Sequence, residues 1–191
     1  MVAWLALPLY GRRMGLDITA YEQINWQGPV PKDQRQLGDA LDWSAVWLHD
    51  GQFMPERLDG LKPGLYTSSG EEAHFRAGSY SSYNWWRQSL CLMVHEVEPD
   101  TLWDDTQGRL DGAPFAELII FSDAEGCIGP KTSAKLHADF VAWAERLRPL
   151  AAQHFAHGRD PEAACKRFFA KYAEWQDAFK LAAGAGCVQF H

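Results

Sequence analysis

Two carboxylates separated by a single residue, Asp123 and Glu125, follow Ser122 in the stretch ELIIFSDAEGCIGPKTSAKLHADFVAWAERLR, which runs from Glu117 to Arg148. These residue types at this spacing suit acid–base work. In a loop such a pair can hold a hydrated divalent cation, grip a cationic or hydroxyl-rich ligand, or divide the roles of acid and base when the two environments differ. The same side chains also have a plain structural use. Asp123 can bond the amides of a turn, and Glu125 can favour the positive end of a following helix. The acidic positions of an EF-hand are missing ahead of Gly126, and carboxylates here oppose phosphate binding at the helix start.

A second group crowds hydroxyls, an amide, aromatic rings and a guanidinium into Gly78-Ser79-Tyr80-Ser81-Ser82-Tyr83-Asn84-Trp85-Trp86-Arg87. Ser79, Tyr80, Tyr83, Asn84 and Arg87, with Ser122, form the candidate ligand-binding set. Asp123 and Glu125 supply the acid–base pair if the protein is an enzyme. Tyr83 and Arg87 stand four residues apart and share one helix face. Arg87 is expected to reach Asp123 or Glu125, because a guanidinium grips a carboxylate with two parallel hydrogen bonds. The structural alternative is a serine cap followed by aromatics in the core.

Histidines give a weaker signal. His154 and His157 lie at i, i+3 without a third ligand nearby in sequence, and no HExxH arrangement occurs, so no metal site is expected. Neither GxSxG, a P-loop nor GxGxxG is present, and no cofactor is expected.

The elements that must position these groups follow from periodicity. Leu118 to Phe121 form a short apolar run of the kind a buried strand shows, and the strand is placed at 117–121. Gly129-Pro130 punctuates the chain, Thr132 or Ser133 can cap the next helix, and Leu136, Phe140, Trp143 or Ala144, and Leu147 give that helix an apolar face. Upstream, Leu16, Ile18 and Ala20 alternate with polar neighbours, which predicts a strand over 15–24. Residues 28–38 read as an exposed loop, Ala45–Leu48 as a second strand and Leu65–Thr67 as a third.

Trp86, Leu90, Met93 and Val97 fall at helical spacing over 81–97, with Ser81 or Ser82 as the cap, and Pro99 opens a loop. Asp160 caps a last helix whose first-turn Pro161 needs no amide partner. Cys165, Phe168, Phe169, Tyr172, Trp175, Phe179 and Ala182 line its apolar face. Gly184 or Gly186 ends it, and Val188–His191 returns as an edge strand. The expectation is an α+β domain, a small mixed or antiparallel sheet packed against about three main helices.

With 191 residues and 47% hydrophobic content, the chain is long enough for one core, and residues 14–191 are expected to form a single globular domain. Residues 1–13, MVAWLALPLYGRR, are expected to be an extension ahead of an alternative start at Met14. Basic residues follow the apolar run rather than precede it, the reverse of a secretory signal. A net charge of −7 makes nucleic acid an unfavourable partner, and an anionic membrane surface equally so. Cys91, Cys127, Cys165 and Cys187 are too far apart in sequence for zinc or redox motifs, so free thiols in a reducing cytoplasm are expected.

The segments MGLDITAYE, GSYSSYNWWR, ELIIFSDAEGCIGPKTSAKLHADF and FFAKYAEWQDAFKLAAGAGCVQFH resemble a group of uncharacterised phage and prophage proteins. The resemblance covers most of the chain from Met14 onward and leaves the first thirteen residues outside. It implies a mobile-element setting and a cytoplasmic protein, and brings no activity, ligand or catalytic residue with it. The functional expectation is an accessory protein, such as a counter-defence factor, that binds a small molecule or a host protein. The alternative is a hydrolase or transferase in which Asp123 or Glu125 is the base.

Overall fold

The computed structural model describes residues 15–30, 45–48, 54–103, 112–121 and 126–191. Strand β1 (Leu16–Gly28) lies between β3 (Gly64–Gly78) and β5 (Cys187–Phe190), with β2 (Ala45–Leu48) and β4 (Gly126–Ile128) at the edges. All pairings between these strands are antiparallel. Five helices complete the described chain: α1 (Tyr80–His95), α2 (Pro99–Trp103), α3 (Ala116–Ile119), α4 (Pro130–Phe155) and α5 (Pro161–Ala182). This is an α+β fold in which an antiparallel sheet carries three main helices, α1, α4 and α5.

Alternation along the strands divides the apolar residues between two cores. Leu16, Ile18 and Ala20 of β1, with Ile128, Val188 and Phe190, face the helices and join the large core. Leu136 and Phe140 of α4 and Phe168, Tyr172, Trp175 and Phe179 of α5 meet there, as their spacing requires. Their rings touch directly: Phe140 and Tyr172 lie 4.6 Å apart, and Trp175 and Phe179 stack at 5.7 Å. Residues of opposite parity, Cys127 and Cys187, turn to a smaller core with Ile24, Val46, Leu48, Leu58 and Tyr66.

A 3-10 turn, Pro55–Leu58, docks at the start of α4 and supplies its cap from far away in sequence. The Gly129 amide donates to the Arg57 carbonyl at 2.7 Å, while Asp59 accepts from the Thr132 amide at 2.7 Å and its hydroxyl at 3.0 Å. Gly129 is required at this contact, since a β-carbon would stand 2.5 Å from the Leu58 carbonyl oxygen. The expected local cap by Thr132 or Ser133 is therefore replaced by Asp59, and the helix begins at Pro130.

Several expectations need correction. Leu118–Phe121 belong to no strand: Ala116–Ile119 form one helical turn, closed by the Ile120 amide to the Ala116 carbonyl at 3.0 Å. An unbroken apolar run is equally consistent with a buried strand and a buried turn of helix, and here tertiary contacts choose. Lys135 of α4 pairs with Glu117 at 2.6 Å, and Asp139 accepts from the Phe115 amide at 2.8 Å, clamping the turn against α4. The third strand spans 15 residues rather than three. Its polar middle looked like a loop because it pairs with the exposed half of β1, where Asn25 donates to Ser69 at 3.0 Å.

β5 is not an edge strand. It is flanked by β1 and by β4, whose three residues lie in a stretch read from sequence as loop. Pro99–Trp103, also expected as loop, forms the short helix α2. Helix α1 starts at Tyr80, capped by Ser79, and ends at His95, so Val97 lies beyond it. Residues 1–13, most of the 28–38 loop, and the Ser122, Asp123 and Glu125 group lie outside the described residues. Among the described residues, no helix is long and apolar enough to cross a membrane.

Candidate functional site

Helix α1 carries most of the predicted ligand-binding residues, and its 3.6-residue period sorts them onto two faces. Tyr83, Trp86, Arg87 and Leu90 are buried. The Tyr83 hydroxyl donates to the Phe121 carbonyl at 2.9 Å, and burial pushes its pKa well above the ordinary phenol range. Arg87 donates to the Ile119 carbonyl at 2.8 Å and to the Asn84 side-chain oxygen at 3.1 Å, with Tyr83 under its guanidinium at 5.7 Å. Tyr83, Asn84 and Arg87 thus come together, and they fasten α1 to the end of α3. The carboxylates expected to meet Arg87 lie outside the described residues.

The opposite face of α1 borders an open groove of about 580 Å³. Ala77, Gly78, Ser81, Ser82, Trp85 and Trp86 line it on one side and Arg167, Ala170 and Lys171 of α5 on the other. A second hollow of about 570 Å³ shares Trp85 and Arg167 and adds Phe155, Gly158, Arg159, Asp160 and Ala164. The two halves meet at the Trp85 indole, which is 37% exposed while stacking on Phe155 at 5.5 Å. Ser79 and Tyr80 stand at the helix start beside this groove, Ser79 as the cap and Tyr80 exposed.

Hydrogen-bond accounting leaves a donor free at the mouth. Ser79 Oγ accepts from the Ser82 amide at 3.2 Å and lies 2.9 Å from Ser81 Oγ and 2.8 Å from Ser82 Oγ. A hydroxyl has one hydrogen, so Ser79 donates to one of these serines and receives from the other. The serine that receives keeps its own hydrogen for an outside acceptor. The amides of Tyr80 and Ser81, in the first turn, have no intrahelical acceptor.

Charge on the groove departs from that of the molecule as a whole. Lys171 is engaged by Glu174 and by the Arg76 carbonyl, both at 2.6 Å. Arg159 and Arg167 make no hydrogen bond or ion pair among the described residues, whereas Asp160 is occupied in capping α5 through Ala163 at 3.0 Å. A separate cation, Arg57, is 2% exposed and sits 5.1 Å from the Phe121 ring. Its Nε and Nη1 have no partner among the described residues, and burial lowers its pKa to about 10, so it stays charged at neutral pH.

Sequence reasoning singled out the 78–87 segment, but of the residues it chose there Tyr83 and Arg87 are buried, and it missed Arg167 and Lys171. Their signal was their separation of four residues on the polar side of α5, which puts both on one strip of the helix. Nothing local ties that strip to α1. Among the described residues no cluster of three or more histidine, cysteine, aspartate or glutamate side chains gathers for a metal. No family model, curated protein or solved structure matches the chain.

Proposed function

We infer that the protein is a small binding protein that takes a low-molecular-weight anion in the groove between α1 and α5. The observation that carries this reading is Arg167, a cation lining both halves of the groove without a partner among the described residues. On a chain of net charge −7, an arginine-rimmed hollow is a local reversal of sign that attracts anions which the rest of the surface repels. The sequence resemblance to phage and prophage proteins supports an accessory role, and sequestering a host metabolite is the form of counter-defence that such a site suits. Four free thiols suit the reducing cytoplasm in which that role would be played.

A thermal-shift screen of small anions, including inorganic phosphate, pyrophosphate and citrate, tests this reading. A ligand at about 100 times its Kd stabilises the folded state by about 2.7 kcal/mol. For a chain of this size that raises Tm by roughly 5–10 °C. The gain should vanish in Arg167→Gln. Equal gains in both proteins, or no gain with any anion, would sink the assignment.

A further inference from the structure

We propose that the groove is a nucleotide site, with the phosphate held by Ser81, Ser82 and Arg167 and the base laid against Trp85. This rests on the anion reading above and narrows it to a chemical class. Volume and lining supply the first argument. Each half of the groove, at about 580 and 570 Å³, falls within the range of small-molecule sites, and a bare inorganic anion would fill little of either. Ala77, Trp86 and Ala170 line the first half beside the charged groups, so the occupant needs an apolar body as well as a charge.

The second argument is that hydroxyl, cationic and aromatic groups stand within reach of one occupant spanning the halves. The first offers hydroxyl donors, where Ser81 and Ser82 share one outward hydroxyl hydrogen and Arg167 and Lys171 stand across from them. The second sets the Trp85 ring, backed by Phe155, beside Gly158 and Ala164 and among the charged groups of Arg159, Asp160 and Arg167. A flat ring that covers Trp85 gains stacking at little entropic cost, because the indole is already held by its partner. Asp160 spends one carboxylate oxygen on the Ala163 amide, which leaves the other to accept from the exocyclic amine of a base. Arg167 lines both halves and so stands where phosphate and base must be joined.

Sugars fit this lining less well. They need several converging polar groups, whereas much of the groove is alanine and tryptophan. Long nucleic acid is disfavoured by the net charge of −7, which sets the rest of the surface against an extended phosphate chain.

Titration calorimetry with AMP, adenosine and inorganic phosphate tests the proposal on the full chain. AMP should bind one to one and at least about tenfold tighter than either fragment, since it alone occupies both halves. Arg167→Gln should weaken AMP by about tenfold or more, the loss expected for a hydrogen bond to a charged group. Trp85→Leu should do the same, while Trp85→Phe, which keeps a flat ring, should retain binding. AMP no tighter than inorganic phosphate, or indifferent to both Arg167→Gln and Trp85→Leu, overturns the nucleotide assignment. If inorganic phosphate or another small anion still binds in an Arg167-dependent way, the anion reading survives that failure. Should no anion respond to Arg167→Gln, both readings fall. A single-stranded oligonucleotide binding more than about tenfold tighter than AMP would replace the mononucleotide with a polymer.

Discussion

The two faces of α1 use the same kinds of residue in opposite ways. On one face Tyr83, Trp86 and Arg87 are buried and bond fixed carbonyl or amide oxygens: Tyr83 to Phe121, Trp86 to Phe168 at 3.1 Å, and Arg87 to Ile119 and Asn84. On the other face Ser81, Ser82 and Trp85 border an open groove with an arginine opposite them that has no partner among the described residues. A tryptophan and an arginine therefore say little about function until their partners are known. Buried polar groups must be satisfied inside the protein, so those side chains are spent on stability, whereas the exposed ones keep bonding capacity for a ligand.

Mutations should separate the faces sharply. Trp86→Ala removes a ring that stacks on Phe168 at 5.6 Å and should cost about 3–5 kcal/mol in urea unfolding. A loss below about 1 kcal/mol would show that this face is not core. Tyr83→Phe strands the Phe121 carbonyl in the interior and should cost about 1–3 kcal/mol, with the groove and any ligand affinity left intact.

A pH series sharpens the same contrast from the buried side. Cys91, also on the core face of α1, is pushed by burial up to about 12, and burial likewise raises Cys127. A folded pKa raised above the unfolded one means that the folded state holds the proton more tightly. The associated stability is complete below the unfolded thiol pKa, about 8.5, and is lost as pH climbs toward the folded value. Urea midpoints should hold steady from pH 7 to 8 and then fall, by roughly 1 kcal/mol for Cys91 near pH 9.5. Cys91→Ala should flatten part of that decline; an identical slope in the variant would remove Cys91 from the account.

The smallest effect on folding belongs to the groove face. Arg167→Gln and Ser81→Ala should each change unfolding free energy by no more than about 0.5 kcal/mol, as surface changes do, while abolishing or weakening anion binding. A large loss of stability in Arg167→Gln would mean that this arginine is structural after all, and the comparison between faces would collapse.

Local pattern by itself determined a good part of this protein. The alternation of Leu16, Ile18 and Ala20, the cap and proline at Asp160-Pro161, and the apolar stripe from Phe168 to Phe179 each lie within one element, and each appears as expected. The α+β class followed from those signals. Other features depend on partners distant in sequence. Leu118–Phe121 became a helical turn because Lys135 and Asp139 clamp it, Thr132 lost the capping role to Asp59, and β5 moved inside the sheet because β4 pairs with its far side.

The groove belongs to this second group. Ser81 and Trp85 lie more than 80 positions before Arg167 in the chain, and only the packing of α1 against the α4–α5 layer makes them neighbours. Periodicity reports which residues share a face of one helix, because that is fixed by the rise and turn of its own backbone. Which of two amphipathic faces is buried, and what stands opposite the other, is settled by the whole core closing at once.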